Sequence, residues 1–439
     1  MSIYKACDIR GTYPDEIDAR TMRLLGRALA TEGEGNNFVV GGDVRQSTPE
    51  LKDALCEGLN GAGSDVIDVG TVPTPAVYRA RDELETWGAA IVTASHNPAE
   101  FNGLKFMLGW RPPTPDEVQR MQKLVETDRL AEGHGTLTTR SVREDYLRWL
   151  KERYAGTGNG LRVLVDAGNG CASEWAPQAF RDAGYEVQEL NCRPDGTFPS
   201  RSPNPSKPEN LKDTARAVAA ANVDFGVAFD GDADRVVFLD SHGHVVNTER
   251  AIIILARAVL QAHPGGSVIY DLKCTEKVAD EVERVGGRAL RERSGHSFIK
   301  TRLITDEAVF AGEASGHFFF GELGRDDGIY AGLRMGEIIA DSGSTLAELA
   351  NSVPDFHISP DIRISLPYDE GAAVVKRLKD DFSGYPQEYK DGVRIEFGDG
   401  WALCRQSVTE PAITLRFEAD TPERLEEIKA QVMEKIPTG

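Results

Sequence analysis

Asp230, Asp232 and Asp234 stand at alternate positions directly behind the apolar run 226–229. Three carboxylates this close repel one another unless a cation gathers them, and hard oxygen ligands favour Mg²⁺ or Ca²⁺. An EF-hand is ruled out: its sixth position needs Gly and here is Arg235, and its twelfth needs Glu and here is Ser241. The triplet predicts a divalent-cation loop whose open coordination positions could take a phosphate oxygen. Ser95-His96-Asn97-Pro98 follows the run 89–92 and reads as a turn. A hydrolase would want a G-x-S-x-G elbow around its serine, which Ser95 lacks. Ser95 could instead carry a phosphoryl group if other loops supplied a metal and a general base. Lys105, ten residues on, would serve as that base if nearby cations depressed its pKa.

Two further groups suit the binding of a phosphorylated sugar. Arg405-Gln406-Ser407-Val408-Thr409, with Arg416 beyond, combines guanidinium and hydroxyl groups, and Arg binds phosphate through two parallel hydrogen bonds. Glu313 and His317 flank Ser315-Gly316, where a carboxylate and an imidazole on a tight loop could hydrogen-bond sugar hydroxyls. The stretch 166–173 is a near-match to G-x-G-x-x-G with Glu189 ending the next strand-like run, which keeps a dinucleotide-dependent oxidoreductase as a distant alternative. Its third glycine is Ser173, however, and no set of redox partners accompanies it.

These loops need elements to position them, and the sequence repeats a pattern that could. Runs 38–43, 163–166 and 268–271 are each rich in β-branched residues and each end in an aspartate. A second strand-like run follows each, and a third then ends at 92, 229 and 311, directly before the serine, aspartate and glutamate–histidine loops. Alternating strands and helices predict α/β units with mixed, largely parallel sheets, whose ligands bind beyond the carboxyl ends of strands. Three such units would bring three polar loops to one central cleft. The last eighty or so residues read as a smaller α+β domain, with an Asp399-Gly400 hairpin turn and a final helix capped by Thr421. The expected units are 1–142 with the serine loop, 143–245 with the metal loop, 246–357 with the sugar loop and 358–439 with the phosphate loop.

The bulk properties agree. A chain of 439 residues exceeds what one hydrophobic core supports. A net charge of −20 argues against nucleic acid and anionic lipid as partners, while a local cluster of Arg and Lys can still receive a small anion. No apolar run is long enough for a membrane span. Six scattered cysteines, without a C-x-x-C pair, fit a reduced cytoplasmic protein.

Taken together, the loops resemble the α-D-phosphohexomutase family, and its phosphomannomutase/phosphoglucomutase branch most closely. The resemblance spans nearly the whole chain and keeps the family's order. Asp8-Ile9-Arg10-Gly11 is similar to the N-terminal motif, 93–98 to the phosphoserine loop, 230–235 to the Mg²⁺ loop, 312–317 to the sugar loop and Arg405 to Thr409 with Arg416 to the phosphate loop. Lys273 and His296 are similar to substrate-contact positions. The resemblance implies a four-domain, heart-shaped enzyme that moves a phosphoryl group between the 1- and 6-positions of a hexose phosphate. A hexose 1,6-bisphosphate would be intermediate and activator, and the enzyme a monomer or homodimer. It implies catalytic roles for Ser95, His96, Lys105, Arg10 and Arg235, and Mg²⁺ on Asp230, Asp232, Asp234 and Ser95. Substrate contacts would come from Lys273, His296, Glu313, Ser315, His317, Arg405, Ser407, Thr409 and Arg416. Cys7 stands where relatives usually have an aromatic residue, and Val408 replaces the usual Gly or Asn. The same chemistry on glucosamine phosphate is the alternative.

Overall fold

In a computed structural model of the chain, which describes residues 3–406 and 411–436, four sheets form in sequence order. The first three share one strand order. In the first, Val66–Thr71, Phe38–Gly42, Gly88–Val92 and Phe101–Met107 lie side by side, the first three parallel and the last antiparallel. Ile9–Thr12 and Leu137–Thr139 extend its two edges. The second repeats the order with Glu186–Leu190, Arg162–Asp166, Phe225–Phe229 and Val236–Asp240. The third repeats it with Arg288–Glu292, Ser267–Asp271, Phe310–Gly312 and Phe318–Phe320, plus Arg325–Asp326 at the edge. The central strand of each sheet is buried along almost its whole length, as the β-branched runs predicted.

Helices cover these sheets with their apolar faces. Thr248–Ala262 is the apolar stretch of the third unit, and its Asn247 cap accepts the backbone N–H groups of Glu249 and Arg250. Its buried Ile252, Ile253, Leu255 and Ala256 join a core that runs from the first unit through the third.

The fourth sheet is wholly antiparallel, centred on Ala412–Ala419 and Gly400–Gln406. Its hairpin forms one position earlier than the Asp-Gly pair predicted. Glu396 pairs with Trp401, so 397–400 turn the chain, and Gly398 takes the positive φ of +88°. The closing helix Pro422–Met433 is capped by Thr421, which accepts the Arg424 N–H, and buries Ile428 and Val432.

Candidate active site

The loops that follow the third strands of the three sheets meet. The serine loop leaves Gly88–Val92. Ser95 is buried and holds a φ of +49°, a left-handed conformation uncommon for a residue with a side chain. Its Oγ donates to Asp230 Oδ2 at 2.8 Å and lies 3.3 Å from His96 Nδ1. The metal loop leaves Phe225–Phe229 and presses on the serine loop backbone to backbone. A Cβ on Gly231 would fall 2.4 Å from the Ser95 carbonyl oxygen, so only glycine allows this approach.

Asp230, Asp232 and Asp234 are fully buried, and one carboxylate oxygen of each lies within 4.8 Å of the others. Burial and the two neighbouring carboxylates push Asp230 well above its ordinary pKa. Asp232 Oδ1 has no hydrogen-bond partner among the described residues, and Asp234 Oδ1 faces only His317 Nε2, at 3.3 Å. Three buried carboxylates converging from a short loop, with Asp232 Oδ1 orphaned, fit a divalent cation with oxygen ligands. Thr74 braces the loop from the first unit, its hydroxyl donating to Asp232 Oδ2 at 2.7 Å and its N–H to the Asp232 carbonyl at 2.9 Å.

Lys105, on Phe101–Met107, reaches Asp232 Oδ2 at 2.8 Å and Asp234 Oδ2 at 2.5 Å. These contacts are with carboxylates, not with the cations expected to depress its pKa. Burial alone would lower its pKa, but the carboxylates of Asp232 and Asp234 outweigh burial and hold it above the usual amine value. Lys105 thus pairs with both carboxylates as a cation. Arg10 braces the serine loop, donating to Asn97 Oδ1 at 3.0 Å and to the Ala94 carbonyl at 3.3 Å.

The third loop brings Glu313, Ser315 and His317. The His317 ring spans two loops, with Nδ1 3.0 Å from Glu313 Oε2 and 2.9 Å from Ser315 Oγ, and Nε2 3.3 Å from Asp234 Oδ1. Burial and Arg235 press its pKa down, yet Asp234 and Glu313 prevail and raise it to about 9. Arg235 Nε lies 3.3 Å from the same Nε2. His296 stacks on His317 at 5.5 Å between ring centres.

A cavity of about 230 Å³ continues from this end, lined among others by Lys273, His296, Glu313, Asp361, Arg363 and Arg405. Lys273 Nζ lies 3.2 Å from Asp361, and Arg405 Nε is held by Asp391 at 2.7 Å. Ser407 and Thr409 lie outside the described residues. Arg416 does not itself line this cavity, although its guanidinium comes within 3.9 Å of Asp361, which does. It sits opposite Leu403, on the face that packs against the third unit, where it pairs with Glu249 at 2.6 Å and donates to the Ser359 carbonyl. Arg416, expected to contact substrate, stands here as a buried strut between units, beside the cavity residue Asp361.

Asp43, Arg45, Thr74 and Asp391 escaped the sequence reading as site residues. Of these only Asp43 carried a signal, as one of three aspartates closing a strand-like run. The glycine-rich stretch 166–173 props the metal loop, with the Cys171 N–H donating to the Gly231 carbonyl at 2.9 Å.

A buried serine beside a carboxylate trio, next to a cavity rich in charged side chains, carried on three like α/β units and an antiparallel fourth, is the arrangement of a phosphohexomutase. The chain belongs to the phosphoglucomutase/phosphomannomutase family. The profiles of that family's α/β/α domains I, II and III match residues 1–131, 144–243 and 247–356, and the profile of its C-terminal domain matches 362–435. A phosphomannomutase/phosphoglucomutase from Pseudomonas aeruginosa is 38% identical over 435 residues, covering 98% of this chain and 94% of that one. A phosphoglucomutase from Neisseria meningitidis is 37% identical over 440 residues, covering 98% and 95%. The crystal structure of a phosphoglucomutase/phosphomannomutase family protein from Burkholderia thailandensis superposes with a TM-score of 0.92 at 36% identity, covering 99% of this chain and 96% of that one. The protein is thus an enzyme, a hexose-phosphate mutase. Among the described residues no helix is long and apolar enough to cross a membrane.

Proposed function

We propose that this mutase works through a phosphorylated Ser95 and a hexose 1,6-bisphosphate, taking mannose and glucose phosphates in the cytoplasm as a monomer or homodimer. The observation that carries the reading is the meeting of Ser95 Oγ with Asp230 at 2.8 Å beside Lys105 Nζ. A sugar hydroxyl attacks the phosphorus of phospho-Ser95. The new P–O bond to sugar forms as the bond to Ser95 Oγ breaks, and the proton lost by the hydroxyl is the one that Oγ regains. His96 Nδ1, 3.3 Å from Oγ, is within reach to exchange that proton. Lys105, Arg10 and Arg235 supply fixed positive charge around the transferring group. Asp230, Asp232 and Asp234, with a phosphate oxygen on Ser95, would hold Mg²⁺, which supplies Lewis-acid stabilisation of the transferring phosphoryl.

The second phosphate binds at the opposite pole through Lys273, His296 and Arg405, joined by Ser407 and Thr409. Glu313, Ser315 and His317 hold the sugar between. The bisphosphate turns end for end and returns its other phosphate to Ser95. Two tests bear on this reading. Intact-mass and peptide mapping of the active protein should find phosphate on Ser95. Rates on mannose 1-phosphate, glucose 1-phosphate and glucosamine 6-phosphate, with hexose 1,6-bisphosphate as primer, should favour the first two. Preference for the glucosamine phosphate would reassign the substrate, and full turnover by Ser95→Ala would sink the phosphoserine route.

A further inference from the structure

The aspartate that closes the central strand of each α/β unit is built into the same device three times. Asp43, Asp166 and Asp271 are buried, and each accepts the backbone N–H two residues on, from Arg45, Gly168 and Lys273, at 3.0, 2.8 and 3.0 Å. Each also accepts a hydroxyl, from Thr48, Thr214 and Ser294, at 2.7, 2.5 and 2.6 Å. Each has a cationic side chain beside it, and there the units diverge.

In the first unit the cation is Arg45, whose side chain is wholly buried. A guanidinium has five N–H donors in a fixed fork. Arg45 spends one on Asp43 and the others on the carbonyls of Ser95 (2.9 Å), Asn97 (2.7 Å), Pro98 and Phe101 (3.1 Å). Four acceptors thus lie in or just after the serine loop. In the second unit the cation is Arg201, which holds Asp166 at 2.7 Å and donates to the Phe229 carbonyl at 2.7 Å, one residue before Asp230. In the third unit Lys273 stands 3.9 Å from Asp271 and reaches instead into the substrate cavity, leaving Asp271 Oδ2 without a hydrogen-bond partner among the described residues.

We propose that Arg45 and Arg201 are positioning residues for the two reacting loops, Arg45 setting Ser95 and Arg201 setting Asp230, neither touching substrate. The inference rests on the phosphoserine reading given above. Ser95 needs such a hold because a side-chain-bearing residue leaves the left-handed region when released, and Arg45 grips its carbonyl from behind while Oγ faces Asp230. A lysine keeps the charge of either arginine but cannot reproduce its fork.

The test compares Arg45→Lys, Arg45→Ala and Arg201→Lys with the unaltered enzyme, all rates being normalised to the folded fraction from circular dichroism. Arg45→Lys should lose about 100-fold in kcat, as a misplaced nucleophile does, with KM for hexose phosphate and calorimetric Mg²⁺ affinity nearly unchanged. Added guanidinium ion should restore part of the turnover of Arg45→Ala, and methylammonium should not. Arg201→Lys should weaken calorimetric Mg²⁺ binding about tenfold, the usual effect of removing support behind a ligand, while still accepting phosphate on Ser95 at high Mg²⁺. Unchanged normalised kcat in Arg45→Lys, no guanidinium rescue, or unaltered Mg²⁺ affinity in Arg201→Lys would overturn the assignment. Phosphate exchange by Ser95→Ala would instead overturn the phosphoserine reading, whatever the arginine variants do.

Discussion

At the scale of the residue, the site separates charge that reacts from charge that binds. Asp232 serves both the cation loop and its internal counter-ion, since its Oδ2 already accepts from Lys105 and Thr74 while Oδ1 is orphaned. Asp232→Asn removes a ligand and a balancing charge together. The half-saturating Mg²⁺ concentration should rise at least about tenfold and kcat fall about 100-fold or more, in line with losses at metal sites. Unchanged turnover of the native enzyme after exhaustive chelation would contradict the metal requirement itself. Arg405 lines the cavity proposed to bind the second phosphate, and Asp391 holds its guanidinium there. A charge-assisted hydrogen bond is worth about 1.5–3 kcal/mol, so Arg405→Ala should lower kcat/KM by roughly one to two orders of magnitude. The loss should be alike for mannose and glucose phosphates, with Ser95 phosphorylation intact. A changed sugar preference at unchanged efficiency would show that the arginine lies elsewhere on the substrate.

Among the elements, the decisive contact is loop on loop. Gly231→Ala drives a Cβ into the Ser95 carbonyl, whose chain cannot yield without moving Oγ off Asp230. The variant should keep its melting temperature within a few degrees and lose about 100-fold in turnover, because a displacement near 1 Å suffices for that. Wild-type turnover would mean that the serine loop has slack. The strand runs and the three polar loops were legible because period-two and β-branched runs are local signals, as was the aspartate triplet. What could not be read was pairing across distance. The carbonyl acceptors of Arg45 lie 50 to 56 residues away in sequence, and a carbonyl leaves no mark on residue type. Lys105 misleads for the same reason, since the groups that face it are not cations but Asp232 and Asp234, brought from another unit. Arg416 follows the phosphate-loop pattern in spacing, but strand pairing turns it toward Glu249.

Taken whole, the molecule is joined across units by buried polar groups. Asp327 caps the helix Gly328–Ser342 of the third unit and accepts the Tyr146 hydroxyl at 2.8 Å from the helix Arg143–Tyr154 of the second. Burial pushes its carboxyl up to about 7, against the pull of the Tyr330 N–H, Tyr146 and Arg325. Between its ordinary value of 3.8 and about 7 the folded chain keeps a proton that the unfolded chain has released. Stability from this group is therefore present at low pH and is lost as pH rises through that window. Asp327→Asn carries no such charge, so its stability relative to wild type should improve by about 1 kcal/mol or more between pH 5 and pH 8, a tenfold change in proton affinity being worth about 1.4 kcal/mol. Parallel curves for the two proteins in urea would remove Asp327 from the pH response.

The meeting of the serine and metal loops also fixes when the enzyme can first act. Ser95 and Asp230 are 135 residues apart in the chain, and Thr74 and Asp232 are 158 apart. Each sheet closes within its own unit, whereas the reacting centre closes only when finished units dock, and such distant contacts form late. During synthesis, Lys105 exists before the aspartates that it will neutralise, so the cation waits for its anions. A refolding chain should accordingly regain its far-ultraviolet signal first and its turnover afterwards, by a step that depends on docking and not on any one unit.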